Sequence, residues 1–343
     1  MMKRVLLAWT GLAAMALPLV FHPAPPRGPR PSAPRGAFAA AGAPGAFEVS
    51  QWEGEWTDAA RARTIPVRIY YPGGEGPFPV IVFSHGLGGS RDGYRYLGEW
   101  WASHGYVSVH IQHPGSDASL LHSARPLRDL IEAAKNPRNA IDRPKDVSFA
   151  LDTLARLENQ PGFVLQGKLD MGKVGVGGHS FGAYTALAAS GRTVGQWRAG
   201  SLDLRDPRIK ACVALSPPSK GERDCPLYAS FAVPCLHMTG TKDMSPIGGT
   251  TPSQRRAPYD CIHGPDQYLV TFAGGDHMVF SGRLRRTPEP TDARFQRLVC
   301  EATTAFWDAY LKDDAAAKAW LSGQGFKGEL GALGTFEEKL GGK

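Results

Sequence analysis

Lys173-Val-Gly-Val-Gly-Gly-His-Ser-Phe-Gly-Ala-Tyr-Thr-Ala-Leu-Ala-Ala189 is the stretch on which the reading of this chain turns. An apolar strand pattern runs into Gly178-His179-Ser180-Phe181-Gly182 and passes directly into a run of small helix-forming residues. A G-x-S-x-G match alone is weak, but strand before and helix after is the context a nucleophile elbow requires. Such a turn strains the serine backbone and leaves no room for side chains at Gly178 and Gly182. The helix N-terminus that follows favours negative charge.

A serine hydroxyl needs a base, and the base needs a third group to fix its tautomer. On a sheet of this kind the chain order is Ser, then Asp or Glu, then His. Downstream of Ser180 stand only His237, His263 and His277. His237 lies inside a strand pattern and His263 in a loop before the last strand. His277, in Gly274-Gly-Asp-His-Met278, follows that strand and is the expected base. For the acid, Asp243 follows the strand at 234–238 and so reaches the C-terminal sheet edge, where α/β sites lie. Asp276 is the rival, but neighbours in extended chain point to opposite sides. Asp260 and Asp266 precede the last strand. The oxyanion donors expected are the backbone N-H groups of Phe181 and of Leu87 in Ser84-His-Gly-Leu-Gly-Gly-Ser90, with Gly88 the alternative. His85 reads as a loop anchor.

Working outward, apolar patterns predict strands at 47–53, 64–71, 80–83, 106–111, 173–177, 209–215, 234–238 and 267–272. The first two alternate, as antiparallel edge strands do, and the rest read as buried parallel strands. Helices are expected at 93–103, at 145–157 and from Thr291 or Asp292 onward, with a short one near 127–134. The implied fold is a mostly parallel eight-stranded sheet with helices on both faces and antiparallel N-terminal edge strands. Residues 46–323 form one catalytic domain, with a lid-like insertion at 113–144 and a tail at 324–343.

Val80-Ile-Val-Phe-Ser-His-Gly-Leu-Gly-Gly89, Ala102-Ser-His-Gly-Tyr106 and Gly178-His-Ser-Phe-Gly182 together resemble the platelet-activating-factor acetylhydrolase and dienelactone-hydrolase-like branch of the α/β hydrolases. Cutinase-type polyester hydrolases are more distantly similar. The resemblance spans about residues 46 to 312. It implies ester hydrolysis without metal or cofactor, with Leu87 and Phe181 matching the oxyanion donors. Two departures qualify it. The acetylhydrolases carry their acid after the strand ending here at Leu215, where this chain reads Ala214-Leu-Ser-Pro-Pro-Ser219, so the acid passes to Asp243 as in cutinase-like enzymes. The Trp that polyester hydrolases often present after that strand is missing too. An amidase or peptidase of the same fold, and a non-catalytic hydrolase-like binding protein, are the alternatives.

Composition sets the surroundings. The net charge is +7, but five basic residues and no acid lie in residues 1–41, leaving 34 basic against 32 acidic residues beyond. No basic run with interleaved aromatics follows, which argues against nucleic acid. Lys3 and Arg4 precede an apolar run broken by Pro18, so 1–41 reads as an export signal with a Pro/Ala-rich leader, or as an uncleaved anchor. The expected locale is periplasmic or extracellular. The expected partner is a small or polymeric ester, with transient lipid-surface contact, and the chain is expected to be monomeric. Of five cysteines, Cys225, Cys261 and Cys300 are the bridge candidates, while Cys212 and Cys235 read as core. His104, His110, His113 and Asp117 lack metal-site spacing. Tyr94, Tyr96, Trp100 and Trp101 read as packing.

Overall fold

The computed structural model describes residues 44–341 apart from 196–199, 246 and 283–290. The export-signal reading of residues 1–41 lies outside the described residues. Nine strands form one sheet in the order β1-β2-β4-β3-β5-β6-β7-β8-β9. They are β1 (Val49–Asp58), β2 (Arg63–Pro72), β3 (Phe78–Ser84), β4 (Val107–Ile111), β5 (Leu169–His179), β6 (Ile209–Leu215), β7 (Cys235–Lys242), β8 (Gln267–Asp276) and β9 (Gly334–Lys339). Strands β3 to β8 run parallel, with β1 and β2 antiparallel at one edge and β9 antiparallel to β8 at the other.

The eight expected strands are therefore present and the sheet has a ninth. It lies in the stretch read as a tail, where Gly334-Thr-Phe-Glu-Glu-Lys339 pairs with Gln267–Phe272. Only Phe336 is apolar in that strand, so an edge position with little to bury leaves no alternation to read. Residues 324–339 are thus structured, as helix and strand, and not a tail.

The helices are α1 (Arg95–Ser103), α2 (Pro126–Lys135), α3 (Pro137–Leu157), α4 (Phe181–Ala189), α5 (Pro252–Arg255), α6 (Ala257–Cys261), α7 (Asp292–Leu311), α8 (Ala315–Ser322) and α9 (Gln324–Leu330). Successive strand residues point to opposite faces, so Val80 and Val82 pack with Val147, Leu151, Leu154 and Ala186 on the side of α3 and α4. Ile81 and Phe83 pack with Leu97, Trp101, Leu298 and Trp307 on the side of α1 and α7. Helix α3 begins eight residues before its expected start. Asn136 caps it by accepting from the N-H of Arg138, Pro137 takes the first turn, and Pro144 sits inside. A proline there costs one helical hydrogen bond. Burial of Arg143, Pro144, Asp146 and Val147 carries the helix through it.

Cys225 and Cys261 form a disulfide, joining a 3-10 turn at Gly221–Tyr228 to α6, while Cys212, Cys235 and Cys300 are buried thiols.

Burial holds three core histidines neutral: His110 is pushed down to about 3, His113 to about 4 and His237 to about 4. An unfolded chain takes up these protons near pH 6.5, so below that value it binds more protons than the fold does. Stability from each group is present above about pH 6.5 and is lost as pH falls toward about 4, at up to about 1.4 kcal/mol per pH unit per group. Urea midpoints measured from about pH 7 to about pH 5 are expected to fall steadily, and His237→Gln to flatten the slope by one proton. A flat wild-type profile would contradict this account.

Candidate active site

The strand β5 delivers Ser180 at its C-terminal end. Ser180 holds φ 56° and ψ −119°, and its N-H donates to the carbonyl of Leu215 at 2.9 Å. A non-glycine residue in that conformation stores about 1–3 kcal/mol of strain. The glycines on either side make it possible. A Cβ at Gly182 would lie 1.8 Å from the carbonyl oxygen of Ser84, and one at Gly178 would lie 2.2 Å from that of Gly182.

The three residues read from sequence as nucleophile, base and acid come together in one hydrogen-bonded line. His277, one residue past β8, places Nε2 3.0 Å from Ser180 Oγ. Its Nδ1 lies 2.9 Å from Asp243 Oδ1. A carboxylate only accepts, so Nδ1 carries the proton and Nε2 is free to accept from the serine hydroxyl. Asp276 caps the turn after β8 by accepting from the N-H of Met278 at 2.9 Å. His237 is a core residue bonded to Gln267 at 2.9 Å, and His263 is exposed. Asp260 pairs with Arg256, and Asp266 with Lys318.

Leu87 and Phe181 line the same cavity as Ser180 and His277. Among the described residues no hydrogen bond engages the backbone N-H of either one, whereas the N-H of Gly88 donates to the carbonyl of Ser116 at 3.0 Å. The cavity holds about 550 Å³ and is also lined by Tyr94, Tyr184, Arg192, Leu227 and Ile247. Ala134 of α2 and Ala140 of α3 border it, so the 113–144 connection reaches its wall.

Several contributors were not legible in the sequence. Ser216, just past β6 with φ 55°, donates to Asp243 Oδ2 at 2.6 Å and lies 2.8 Å from His277 Nδ1. Thr239 donates to the same carboxylate oxygen at 2.9 Å. Arg255, wholly buried on α5, places Nε 2.8 Å from Asp243 Oδ1 and donates through Nη1 to the carbonyl of Ser216 at 2.7 Å. Burial pushes the Asp243 carboxyl up, but the His277 hydrogen bond, the Arg255 charge and the Ser216 hydroxyl outweigh it and hold Asp243 below the ordinary carboxylate value. Tyr94, read as packing, bonds His179 Nδ1 at 2.8 Å, and His179 Nε2 donates to the carbonyl of His277 at 3.1 Å. The only sequence signal for Ser216 was its place at the end of a central strand. Arg255 sits 12 residues past Asp243 in an unpatterned loop and gave none.

The Ser216 hydroxyl fixes one oxygen of Asp243. Ser216→Gly, which removes it without straining the positive φ, is expected to lower kcat/KM about tenfold, the worth of one hydrogen bond to a charged group. Steady-state kinetics beside a thermal melt would check it, and unchanged kcat/KM would refute it.

The fold is that of the α/β hydrolases, with Ser180, His277 and Asp243 gathered at the C-terminal edge of its parallel strands. Within that class the chain is similar to the platelet-activating-factor acetylhydrolase branch. The model of the family described as "Platelet-activating factor acetylhydrolase, isoform II" matches residues 66–141. A platelet-activating factor acetylhydrolase from Cavia porcellus is 28% identical over 165 residues, covering 41% of this chain and 35% of that protein. The α/β hydrolase xenA from Xenoacremonium sinensis is 29% identical over 143 residues, covering 41% and 27%. A platelet-activating factor acetylhydrolase from Canis lupus familiaris is 30% identical over 145 residues, covering 33% and 32%. The chain thus spans about a third of the length of the curated relatives it matches.

Proposed function

We propose that the protein is an exported serine hydrolase that cleaves carboxylic esters through an acyl-enzyme intermediate. The observation that carries this reading is the continuous line from Ser180 Oγ through His277 to Asp243, at 3.0 and 2.9 Å, opening into a cavity. In the first step Ser180 Oγ attacks the ester carbonyl while His277 Nε2 takes its proton. The oxyanion that forms is stabilised by the N-H groups of Leu87 and Phe181. His277 then returns the proton to the departing alkoxide, and the alcohol leaves. Water, deprotonated by His277, attacks the acyl-enzyme and frees the acid and Ser180. Asp243 keeps the imidazole in the required tautomer and offsets its positive charge. None of these steps draws on a metal or cofactor.

The names of the relatives support ester over amide as the bond cleaved. Export is supported by the Cys225–Cys261 disulfide, which belongs to an oxidising compartment. The 113–144 connection acts as a lid bordering the cavity, and the enzyme works as a monomer with transient contact at lipid surfaces. The test is a series of p-nitrophenyl acyl esters of increasing chain length, with a p-nitroanilide, a phospholipid and a polyester film, assayed on the secreted protein. Ester turnover at least about 100-fold above the anilide, beyond the intrinsic difference in reactivity, is expected. Turnover of the anilide alone, or of nothing, would refute the reading.

A further inference from the structure

Leu87 is gripped on both flanks while its own N-H engages no hydrogen bond among the described residues, and one buried side chain reaches both grips. Arg143 of α3 is fully buried. Its Nη2 donates to the carbonyl of His85 and to Ser84 Oγ, the latter at 3.1 Å, just before Leu87. Its Nη1 donates to Ser116 Oγ at 2.8 Å, and the carbonyl of Ser116 accepts the N-H of Gly88, just after Leu87. An isolated bridge between Gly89 and Asp117 continues the same seam. The remaining arm reaches the other donor. Arg143 Nε donates to Thr185 Oγ1 at 2.9 Å, and Thr185 donates to the carbonyl of Phe181 at 2.9 Å. The guanidinium carbon lies 4.5 Å from the centre of the Phe181 ring.

We propose that Arg143 is a positioning residue that sets the two oxyanion donors, Leu87 and Phe181, against each other. The inference rests on the ester-hydrolase reading of those two N-H groups. Only a planar fork can serve the loop, the helix and the 113–144 connection at once, because a lysine ammonium is a point charge with three donors. Donors at an oxyanion site act through placement, and misplacement by about 1 Å costs about 100-fold. Burial draws the guanidinium down to about 9, so it remains charged at neutral pH. Arg143 itself lies in the connection that borders the cavity, and its bond to Ser116 ties the two ends of that connection together at the site.

The test uses Arg143→Met, Arg143→Lys and Thr185→Val in the full chain, with p-nitrophenyl butyrate as substrate and an alkyl trifluoromethyl ketone as probe. Ser180 Oγ adds to the ketone carbon, its proton passes to His277, and the carbonyl electron pair becomes an oxyanion in the site. The ketone therefore reports donor placement without turnover. Arg143→Met is expected to lose about 100-fold in kcat with KM within about threefold, and the ketone Ki to rise by about the same factor. Arg143→Lys should lose about tenfold and Thr185→Val about fivefold in both readouts.

Circular dichroism and a thermal midpoint above the assay temperature establish that each variant is folded, and Thr185→Val decides if Arg143→Met is not. A fall in kcat with unchanged ketone Ki would overturn the proposal, as would folded variants within about twofold of wild type in both. Failure of the parent reading looks different: the wild type would then not turn over the ester, or Ser180→Ala would keep its turnover, whereas failure of this proposal leaves Ser180→Ala inactive and the ketone Ki of the Arg143 series unchanged.

Discussion

Ser180→Ala is expected to lower kcat/KM for p-nitrophenyl acyl esters by about 10⁴- to 10⁶-fold while the fold and its melting temperature stay within about 2 °C of wild type. Among the described residues five serines lie against a histidine nitrogen, so the choice among them needs an argument; Ser103 beside His104 and Ser108 beside His110 are buried and do not line the cavity. Ser84 Oγ is 2.9 Å from His113 Nε2, and His113 Nδ1 is 3.0 Å from Asp146 Oδ2. That arrangement has the atoms of a triad, but Ser84, His113 and Asp146 are all fully buried. Arg143 also donates to Ser84 Oγ, and Arg61 and Arg63 hold Asp146. Ser216 is fully buried as well, and it faces Nδ1, the nitrogen that already carries its proton toward Asp243. Ser180 alone combines a free Nε2 partner with a place on the cavity wall. Labelling by a fluorophosphonate should disappear in Ser180→Ala and persist in Ser84→Ala. Wild-type turnover in Ser180→Ala would sink the whole functional reading.

The contrast among these serines also explains what a sequence can carry. Ser180 was legible because the elbow imposes itself on neighbours along the chain: glycines at 178 and 182, a strand before and a helix after. His277 and Asp243 were legible because each follows a strand whose apolar run marks its end, and the parallel sheet brings those ends to one edge. Ser216, Arg255 and Arg143 act through contacts across the fold, with Asp243 27 positions along the chain from Ser216 and Arg143 58 positions from His85. No local period or spacing encodes such pairs. Helix α3 starts earlier than its sequence suggests because Pro144 is a breaker only in isolation, while its burial beside Arg143 and Asp146 is a tertiary fact. The ninth strand went unread for the converse reason. An edge strand carries polar residues on both faces and owes its existence to β8.

Asp243→Asn is expected to lower kcat/KM by about 10³- to 10⁴-fold, while Asp276→Asn stays within about threefold of wild type. At 243 an amide can turn its NH₂ toward His277 Nδ1, which then has to accept, so the proton moves to Nε2 and the ring can no longer take one from Ser180. The loss would come with a second effect. Arg255 is buried with Asp243 as its ionic partner, so neutralising Asp243 leaves a buried cation uncompensated and should cost about 3–5 kcal/mol of stability. At 276, by contrast, the carboxylate caps a turn by accepting the N-H of Met278, and asparagine caps as well as aspartate. Activity measured well below each variant's melting temperature separates the catalytic loss from the stability loss. Full activity in Asp243→Asn together with an inactive Asp276→Asn would reassign the acid. The partition between the two effects is informative in itself: a variant that melts early yet turns over normally would mean that Asp243 serves Arg255 and leaves His277 to orient itself through Ser216.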